Sequence, residues 1–441
     1  FLKAKMEVTH INSPTDPTPE PLGSAKGVTF LAEAVPFDVA HDQVSVSVTL
    51  GNVLGRGASS VVHGVSKIGP ASDKEETAST CELQQSQLVA KIFWIDQGTS
   101  FQTLSSAVHE AKVLQAASHP CILRSHGLFR AKNGISQDLL GGFARRGKPG
   151  RVKRPLKVLP GDVDEVPMHF LLEERCHCSL QDLLQIRNFT EPEAAFVANA
   201  ALRGLAHLHR LGIVHRDVKD ANIMVADGGL RCVLADLDLA AHMPPDCETM
   251  DWTCGTLGYV APEVHAFHGG GYASDIFSLG VVFYRLVTGS HPFLEATEQE
   301  THDATLMRQI PTRPAGVLKG TSLDFCNVLE FMLERDMRSR MTAEEVLEHD
   351  WLQQETSNLK VLIQAFEAVA GAGQQTRPLG ARRLSTAWAD KDDRTSEKPR
   401  SSKMWQMARS VLSAASTTAS RVLGAGPRLR GRAGTEDFDP I

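Results

Sequence analysis

An α+β chain, with a small strand-rich part ahead of a larger helical one, is what this sequence predicts. Two observations carry the prediction. "VSVSVTL" at 44–50 alternates apolar and polar residues with a period of two, the pattern of a half-buried strand, and β-rich pieces follow at 60–65 and 88–94. After Leu180 the apolar spacing changes to three and four in "LQDLLQIRNF" and "EPEAAFVANAALRGLAHLHRLG", and "SDIFSLGVVFYRLVTG" is apolar all round, as a helix buried in a core would be. Gly212 closes the second of these segments as a helix C-cap does.

Around these parts the composition is polar. Residues 1–43, with the proline-rich "NSPTDPTPEP", read as a flexible leader that buries too little surface to offset its ordering. Two insertions, 67–87 and 131–166, interrupt the strands, and the second holds seven basic and no acidic residues between Ala144 and Lys157. Residues 355–441 read as a helical extension and a basic, largely disordered tail. From 371 onward, 13 lysines and arginines face 7 acids, so the net charge of −6 hides about −12 on the remainder. The charge does not demand nucleic acid. No apolar run approaches the roughly 18 residues of a membrane span. Eight scattered cysteines suit a reducing, cytoplasmic setting, and Cys176-His177-Cys178 is too compact to wrap a zinc ion. The chain opens on Phe1, which leaves room for a targeting segment ahead of it.

The chemistry lies in a series of short stretches. "LGRGASSVVHG" follows a strand and supplies Gly55 and Gly57, whose missing side chains let backbone amides approach a phosphate; a hairpin turn is the plainer reading. "LVAKIFW" sets Lys91 in an apolar strand, where its ammonium needs an anionic partner, and Glu110 of "AVHEAKVLQAASHP" has the right charge. "IVHRDVKDANIMV" gathers Asp217, Lys219 and Asn222 within six residues: a proton acceptor, a cation and a metal-binding amide. "LADLDLA" adds Asp236 behind a strand-like run.

In this order of motifs, continued by "GTLGYVAPE", "SDIFSLG" and Arg340, residues 47–352 resemble the eukaryotic-type serine/threonine protein kinases. The resemblance implies a bilobal fold, with an N-lobe over 44–173 and a C-lobe over 174–354, and ATP and Mg²⁺ as cofactors. Gly55, Gly57 and Ser60 would cover the ATP phosphates. Lys91 would hold the α and β phosphates, fixed by Glu110, with Val62 and Ala90 lining the pocket. "FLLEERCHCSL" resembles the hinge, so Glu173 and Arg175 would meet the adenine edge, with Leu172 behind it. Asp217 would orient the substrate hydroxyl and take its proton, Lys219 would neutralise the moving phosphoryl group, and Asn222 and Asp236 would hold magnesium. His215 and Leu237 read as packing residues. Glu263 would pair with Arg340, and Asp275 would steady the loop around Asp217. Lys219 and "GTLGY" resemble the serine/threonine branch rather than the tyrosine branch.

The departures are few. "DLD" replaces the family's "DFG", so Asp238 stands where a glycine with permissive backbone angles is usual, and its carboxylate would either repel phosphate or assist the metal. Ser60 replaces a third glycine and Phe277 a tryptophan. Trp252 stands where relatives carry an activating phosphothreonine, leaving Thr249 and Thr253 as displaced candidates with Arg216 as partner charge. Ala221 carries no carboxylate to attract basic substrates, and Ser385 in "ARRLSTAW" reads as a target for another kinase or a solvated site. In the tail, Trp405 and Leu412 would share one face of a basic amphipathic helix, so residues 400–425 suggest calmodulin or an anionic membrane surface as partner besides protein substrates. The subfamily leans toward the calcium/calmodulin-dependent kinases. Against an active kinase stand a pseudokinase scaffold and a small-molecule kinase. The presence of Lys91, Asp217, Asn222 and Asp236 together favours activity.

Overall fold

The computed structural model describes residues 29–35, 45–56, 60–70, 87–93, 100–132, 168–310, 313–354 and 356–373, and for 56, 100–103 and 370–373 the backbone only. Gly57, the basic run 144–157, most of both expected insertions, Ser385 and the segment 400–425 fall outside the described residues.

Six antiparallel strands, β1 (Thr29–Ala34), β2 (Ser45–Arg56), β3 (Ser60–Pro70), β4 (Leu88–Phe93), β5 (Ser125–Ala131) and β6 (His169–Glu174), close into a barrel in the order β1-β2-β3-β4-β6-β5. β1 corrects the expectation of a flexible leader over 1–43. It pairs with β2 from Thr29↔Thr49 to Glu33↔Ser45 and with β5 from Ala32↔Ala131 to Ala34↔Phe129, closing what would be two open strand edges. Phe30 and Ala32 are buried inward, and the Phe30 ring meets Phe170 edge-on at 5.6 Å, so apolar contact offsets the cost of ordering this strand. β3 and β5 also take the edges of the expected insertions, through Pro70 and at Ala131.

Alternation decides what each strand offers to either side. Leu88, Ala90 and Ile92 of β4 and Phe170 and Leu172 of β6 fill the barrel with Val46, Val48, Leu50 and Val61. Phe93 and Leu171 face outward into the larger core. Against that outer face lies α1 (Ser100–Ala116), which carries Glu110 into full burial.

The remaining α-helices among the described residues are α2 (Leu180–Leu184), α3 (Glu191–Arg210), α4 (Pro262–His265), α5 (Tyr272–Thr288), α6 (Glu298–Met307), α7 (Leu323–Met332), α8 (Ala343–Leu347) and α9 (Lys360–Gly373). A capping box opens α3, with the Thr190 amide and hydroxyl donating to Glu193 Oε2 at 2.9 and 3.0 Å. Just beyond its end Gly212 takes φ 74°, as its sequence position predicts. α5 is buried along nearly its whole length. α9 falls in the stretch expected to extend the helical part. It docks beside Gly229, whose φ of 91° and lack of a side chain let the Leu359 backbone approach; a Cβ there would lie 2.6 Å from Leu359 C.

Short strands pin the loops that matter. β7 (Cys178–Ser179), β9 (Ile223–Ala226) and β10 (Arg231–Leu234) form one small sheet, and β8 (Ile213–Val214) pairs with β11 (Ala241–His242). The β8–β9 and β10–β11 loops therefore run side by side, joined by the Ala235 amide donating to Asn222 O at 2.9 Å.

Candidate active site

Gly55, Val62, Lys91 and Leu171 are successive cross-strand partners on β2, β3, β4 and β6, and so share one face of the barrel wall. Ser60, opposite Phe93, lies on the same face. A Cβ added at Gly55 would meet nothing within 4 Å, so the space over its backbone is open. Lys91 Nζ donates to Glu110 Oε1 and Oε2 at 2.7 and 2.8 Å and to Asp236 Oδ1 at 2.8 Å. One ammonium thus ties the barrel to α1 and to the β10–β11 loop. Burial works hardest against its charge, yet Glu110, Asp236 and Glu173 hold its pKa well above that of an ordinary lysine. Burial likewise opposes ionisation of Asp236, but the charge and hydrogen bond of Lys91 prevail and keep that carboxyl below its usual value. Glu110 goes the other way, because burial outweighs the pull of Lys91 and pushes it up to about 7.

The β8–β9 loop carries the second half of the site. Arg216 sits at φ 70°, a left-handed conformation that costs a side-chain-bearing residue about 1–3 kcal/mol and persists only when its surroundings hold it. Asp275, fully buried at the start of α5, does the holding. Its carboxylate accepts from the His215 amide at 2.9 Å and the Arg216 amide at 2.9 Å, and lies 3.0 Å from His209 Nε2. The next residue, Asp217, is thereby fixed. Lys219 Nζ donates to its Oδ2 at 2.6 Å, the Thr256 hydroxyl donates to its Oδ1 at 2.7 Å, and Lys219 also donates to Thr256 Oγ1 at 2.8 Å. Asn222 Nδ2 donates to Asp217 O at 2.9 Å, which leaves its amide oxygen as the group for a cation. The Ala235 amide's bond to Asn222 O holds this loop beside the one that carries Asp236, and the charge of Lys219 helps to lower the Asp236 pKa.

The structure corrects several expectations. Ala90 and Leu172 pair with each other across β4 and β6 and face the barrel interior; alternation gives their places on the Lys91 face to Val89 and Glu173, the next partners in register. The Arg175 amide donates to Gln87 O at 2.9 Å, so it is committed within the fold. The left-handed backbone falls on Asp236, at φ 62°, and not on Asp238, whose φ is negative. Replacing glycine at 238 therefore carries no penalty of that kind. Burial, then the neighbouring Asp236, raises the Asp238 pKa. The Thr253 expectation is not among these corrections: Thr253 is exposed, and Arg216 donates to Cys254 Sγ at 2.8 Å with its guanidinium 5.7 Å from the Trp252 ring centroid and its Nε buried without a partner. Away from the cleft, Glu263 takes Arg340 at 2.8 and 3.0 Å, and His215 and Leu237 are fully buried.

Sequence reasoning missed a second brace. Asp220 takes the Tyr259 hydroxyl at 2.7 Å and the guanidinium of Arg285, which also reaches Tyr259 Oη at 2.7 Å. These residues are too far apart in sequence to suggest each other. It also left Glu173 at the hinge backbone alone, although a charged residue inside an apolar strand was the available signal.

Residues 50–352 match the family model of the protein kinase domain. The chain belongs to the protein kinase family. Its barrel with α1 is the N-lobe and the helical part the C-lobe, the bilobal α+β arrangement expected. Among the curated relatives, a calcium/calmodulin-dependent protein kinase, cmkB, of Emericella nidulans is 31% identical over 168 residues, 37% of this chain and 42% of that protein. Calcium/calmodulin-dependent protein kinase type 1B of Homo sapiens is 31% identical over 221 residues, 47% of this chain and 61% of that protein. The serine/threonine-protein kinase zyg-8 of Caenorhabditis elegans is 31% identical over 198 residues, 42% of this chain and 25% of that protein. The kinase chain thus spans less than two thirds of the length of each of these relatives. No helix among the described residues is long and apolar enough to cross a membrane.

Proposed function

We propose that the chain is an active serine/threonine protein kinase, transferring the γ-phosphate of ATP to protein hydroxyls with Mg²⁺. The observation that carries this reading is the convergence of Lys91, Asp236, Asp217 and Lys219 on one cleft. The residues fit a metal-bound triphosphate: open space over Gly55, a desolvated but charged Lys91, an ionised Asp236, and an Asn222 amide oxygen turned from Asp217. Asn222 and Asp236 would hold the metal, which when bound neutralises the charge that builds on the phosphates during transfer.

The chain's own residues then divide the work. Asp217, held at both oxygens by Lys219 and Thr256, is oriented to accept the proton of an incoming hydroxyl. Lys219 supplies positive charge beside that oxygen. Thr256 couples both to the 255–263 segment, so a peptide bound there would be sensed at Asp217. With all four groups in place, a pseudokinase scaffold has no observation in its favour. Calmodulin or an anionic membrane surface stays a proposal for residues 400–425, supported by the tail's charge pattern and by the names of the relatives. A cytoplasmic setting goes with the same reading.

The test is a radiolabelled ATP assay on generic protein substrates, with Asp217→Ala and Lys91→Met beside the wild type. Label transfer by the wild type and its loss in both variants is expected. Equal signal in all three would trace the activity to a contaminant and sink the reading.

A further inference from the structure

Thr256 grips Asp217 only if the stretch that leads into it is set in place. That stretch is pinned at Met250, which exchanges both amide–carbonyl bonds with Gly270, at 2.9 and 3.0 Å. Two residues on, the Trp252 indole lies against Gly270 and is only 4% exposed. The fit leaves no room for side chains on the other face. A Cβ at Gly270 would come within 2.3 Å of Trp252 Cε3, and one at Gly269 or Gly271 within 2.7 Å of Met250 O or 2.5 Å of Glu248 O. Three consecutive glycines thus make a seat for this stretch and its one buried ring.

Trp252 also reaches both parties to the grip on Asp217. On one side it shares an apolar cluster with Val214, three residues before Asp217, and its ring centroid lies 5.7 Å from the Arg216 guanidinium. On the other its Nε1 donates to Cys254 O at 2.9 Å, two residues before Thr256. Arg216 Nη2 donates to Cys254 Sγ at 2.8 Å, which closes a ring of contacts from the β8–β9 loop through the indole to Thr256 and back to Asp217. A phosphate can order such a segment by pairing with an arginine. Here, among the described residues, no carboxylate pairs with Arg216; a ring and a thiol meet its guanidinium instead, and attraction to the ring face grows as water is excluded.

We infer that Trp252 is a positioning residue: seated on Gly270 and against Arg216, it holds Thr256 on Asp217 without any phosphate on the 237–255 segment. The inference rests on the kinase reading proposed above and is tested with the full chain. Thr249 and Thr253 carry the only hydroxyls between residues 237 and 255, so a Thr249→Ala/Thr253→Ala double variant cannot be phosphorylated there. It is expected to keep kcat within about threefold of wild type. Trp252→Ala should lose about a hundredfold in kcat, the scale of a shift of about 1 Å at the reacting group. Its KM for ATP should change little, because Lys91 and Asp236 lie outside the ring of contacts. Trp252→Phe keeps an aromatic ring and lacks one hydrogen bond, so it should stay within about tenfold. Gly270→Ala, which crowds the indole from the other side, should copy Trp252→Ala. Urea midpoints establish that each variant is folded.

Loss of activity in the double threonine variant overturns the inference, since the segment then needs its phosphate, and this arm leaves the buried ring untouched. A folded Trp252→Ala or Gly270→Ala protein within about threefold of the wild-type kcat overturns it too, as does a loss that falls on the KM for ATP instead. In each case wild-type transfer persists, so the kinase reading stands. No transfer by the wild type would instead bring down the kinase reading and this inference with it.

Discussion

Asp275→Asn tests whether the site depends on one buried carboxylate 58 residues along the chain from Asp217. The wild-type side chain uses Oδ1 for the Arg216 amide and Oδ2 for the His215 amide, both at 2.9 Å. Asparagine has one oxygen, so whichever way its amide turns, an NH₂ group faces a backbone N–H. Losing a charge-assisted hydrogen bond costs about 1.5–3 kcal/mol, and a buried donor without an acceptor adds about 1–3, which together give roughly 2.5–6 kcal/mol. The released loop can also relax the φ of 70° at Arg216, carrying Asp217 with it. A displacement of about 1 Å at the reacting group costs on the order of a hundredfold in rate. Urea unfolding followed by fluorescence, alongside steady-state phosphotransfer, reads both effects. A variant within about 1 kcal/mol of wild type and within about threefold of its activity would refute the assigned role, since surface substitutions alone produce changes of that size.

Asp217→Asn should lower kcat by roughly 10²–10⁴ if Asp217 takes the hydroxyl proton, read in the same assay at saturating ATP. Thr253→Ala should stay within about threefold of wild-type activity, because Thr253 is exposed and the Arg216 guanidinium already lies against Cys254 and Trp252; a large loss would support Thr253 as the activating site. Glu173→Gln should flatten the pH dependence of stability. The folded carboxyl holds its proton up to about 8 from a usual 4.5, so stability is fullest below the lower value and falls as pH rises toward the upper, by at most about 1.4 kcal/mol per unit. Urea midpoints between pH 5 and 8.5 measure the slope, and an unchanged slope in the variant would contradict the burial of this group. Glu110, also raised, leaves a residual slope of the same sign.

What the sequence made legible was the chemistry concentrated in short stretches. Asp217, Lys219 and Asn222 lie within six residues, so loop geometry alone brings them together, and a lysine in an apolar strand announces its need for a partner such as Glu110. Alternation in β4 and β6 was legible too, but a period of two does not say which parity faces the cleft. Ala90 and Leu172 were therefore placed on the wrong side, and Glu173 was read for its backbone alone. β1 was hidden for another reason: "TFLAEA" gains its burial only from β2 and from β5 about a hundred residues on, and no local pattern records that pairing. The left-handed backbone found at Asp236, and not at position 238 where a glycine is usual, belongs to the same class, because dihedral angles in a loop answer to the contacts on either side of it.

The excess of acid around Lys91 determines how its substitution is to be interpreted. Glu110, Glu173, Asp236 and Asp238 all act on this single ammonium, and the three that are not held ionised have their pKa values raised by burial. Removing one partner of a buried ion pair usually costs about 3–5 kcal/mol, because the other charge is stranded. Here the stranded groups have another course, since carboxyls already shifted toward neutral pH can take up protons instead of carrying buried charge. Lys91→Met should therefore stay folded near neutral pH while losing at least about a hundredfold in phosphotransfer, the usual scale for one electrostatic contact to a transition state. The same logic gives its instability a direction. The variant should weaken faster than wild type as pH rises, because each proton the cluster releases is then a buried negative charge with no ammonium left to meet it.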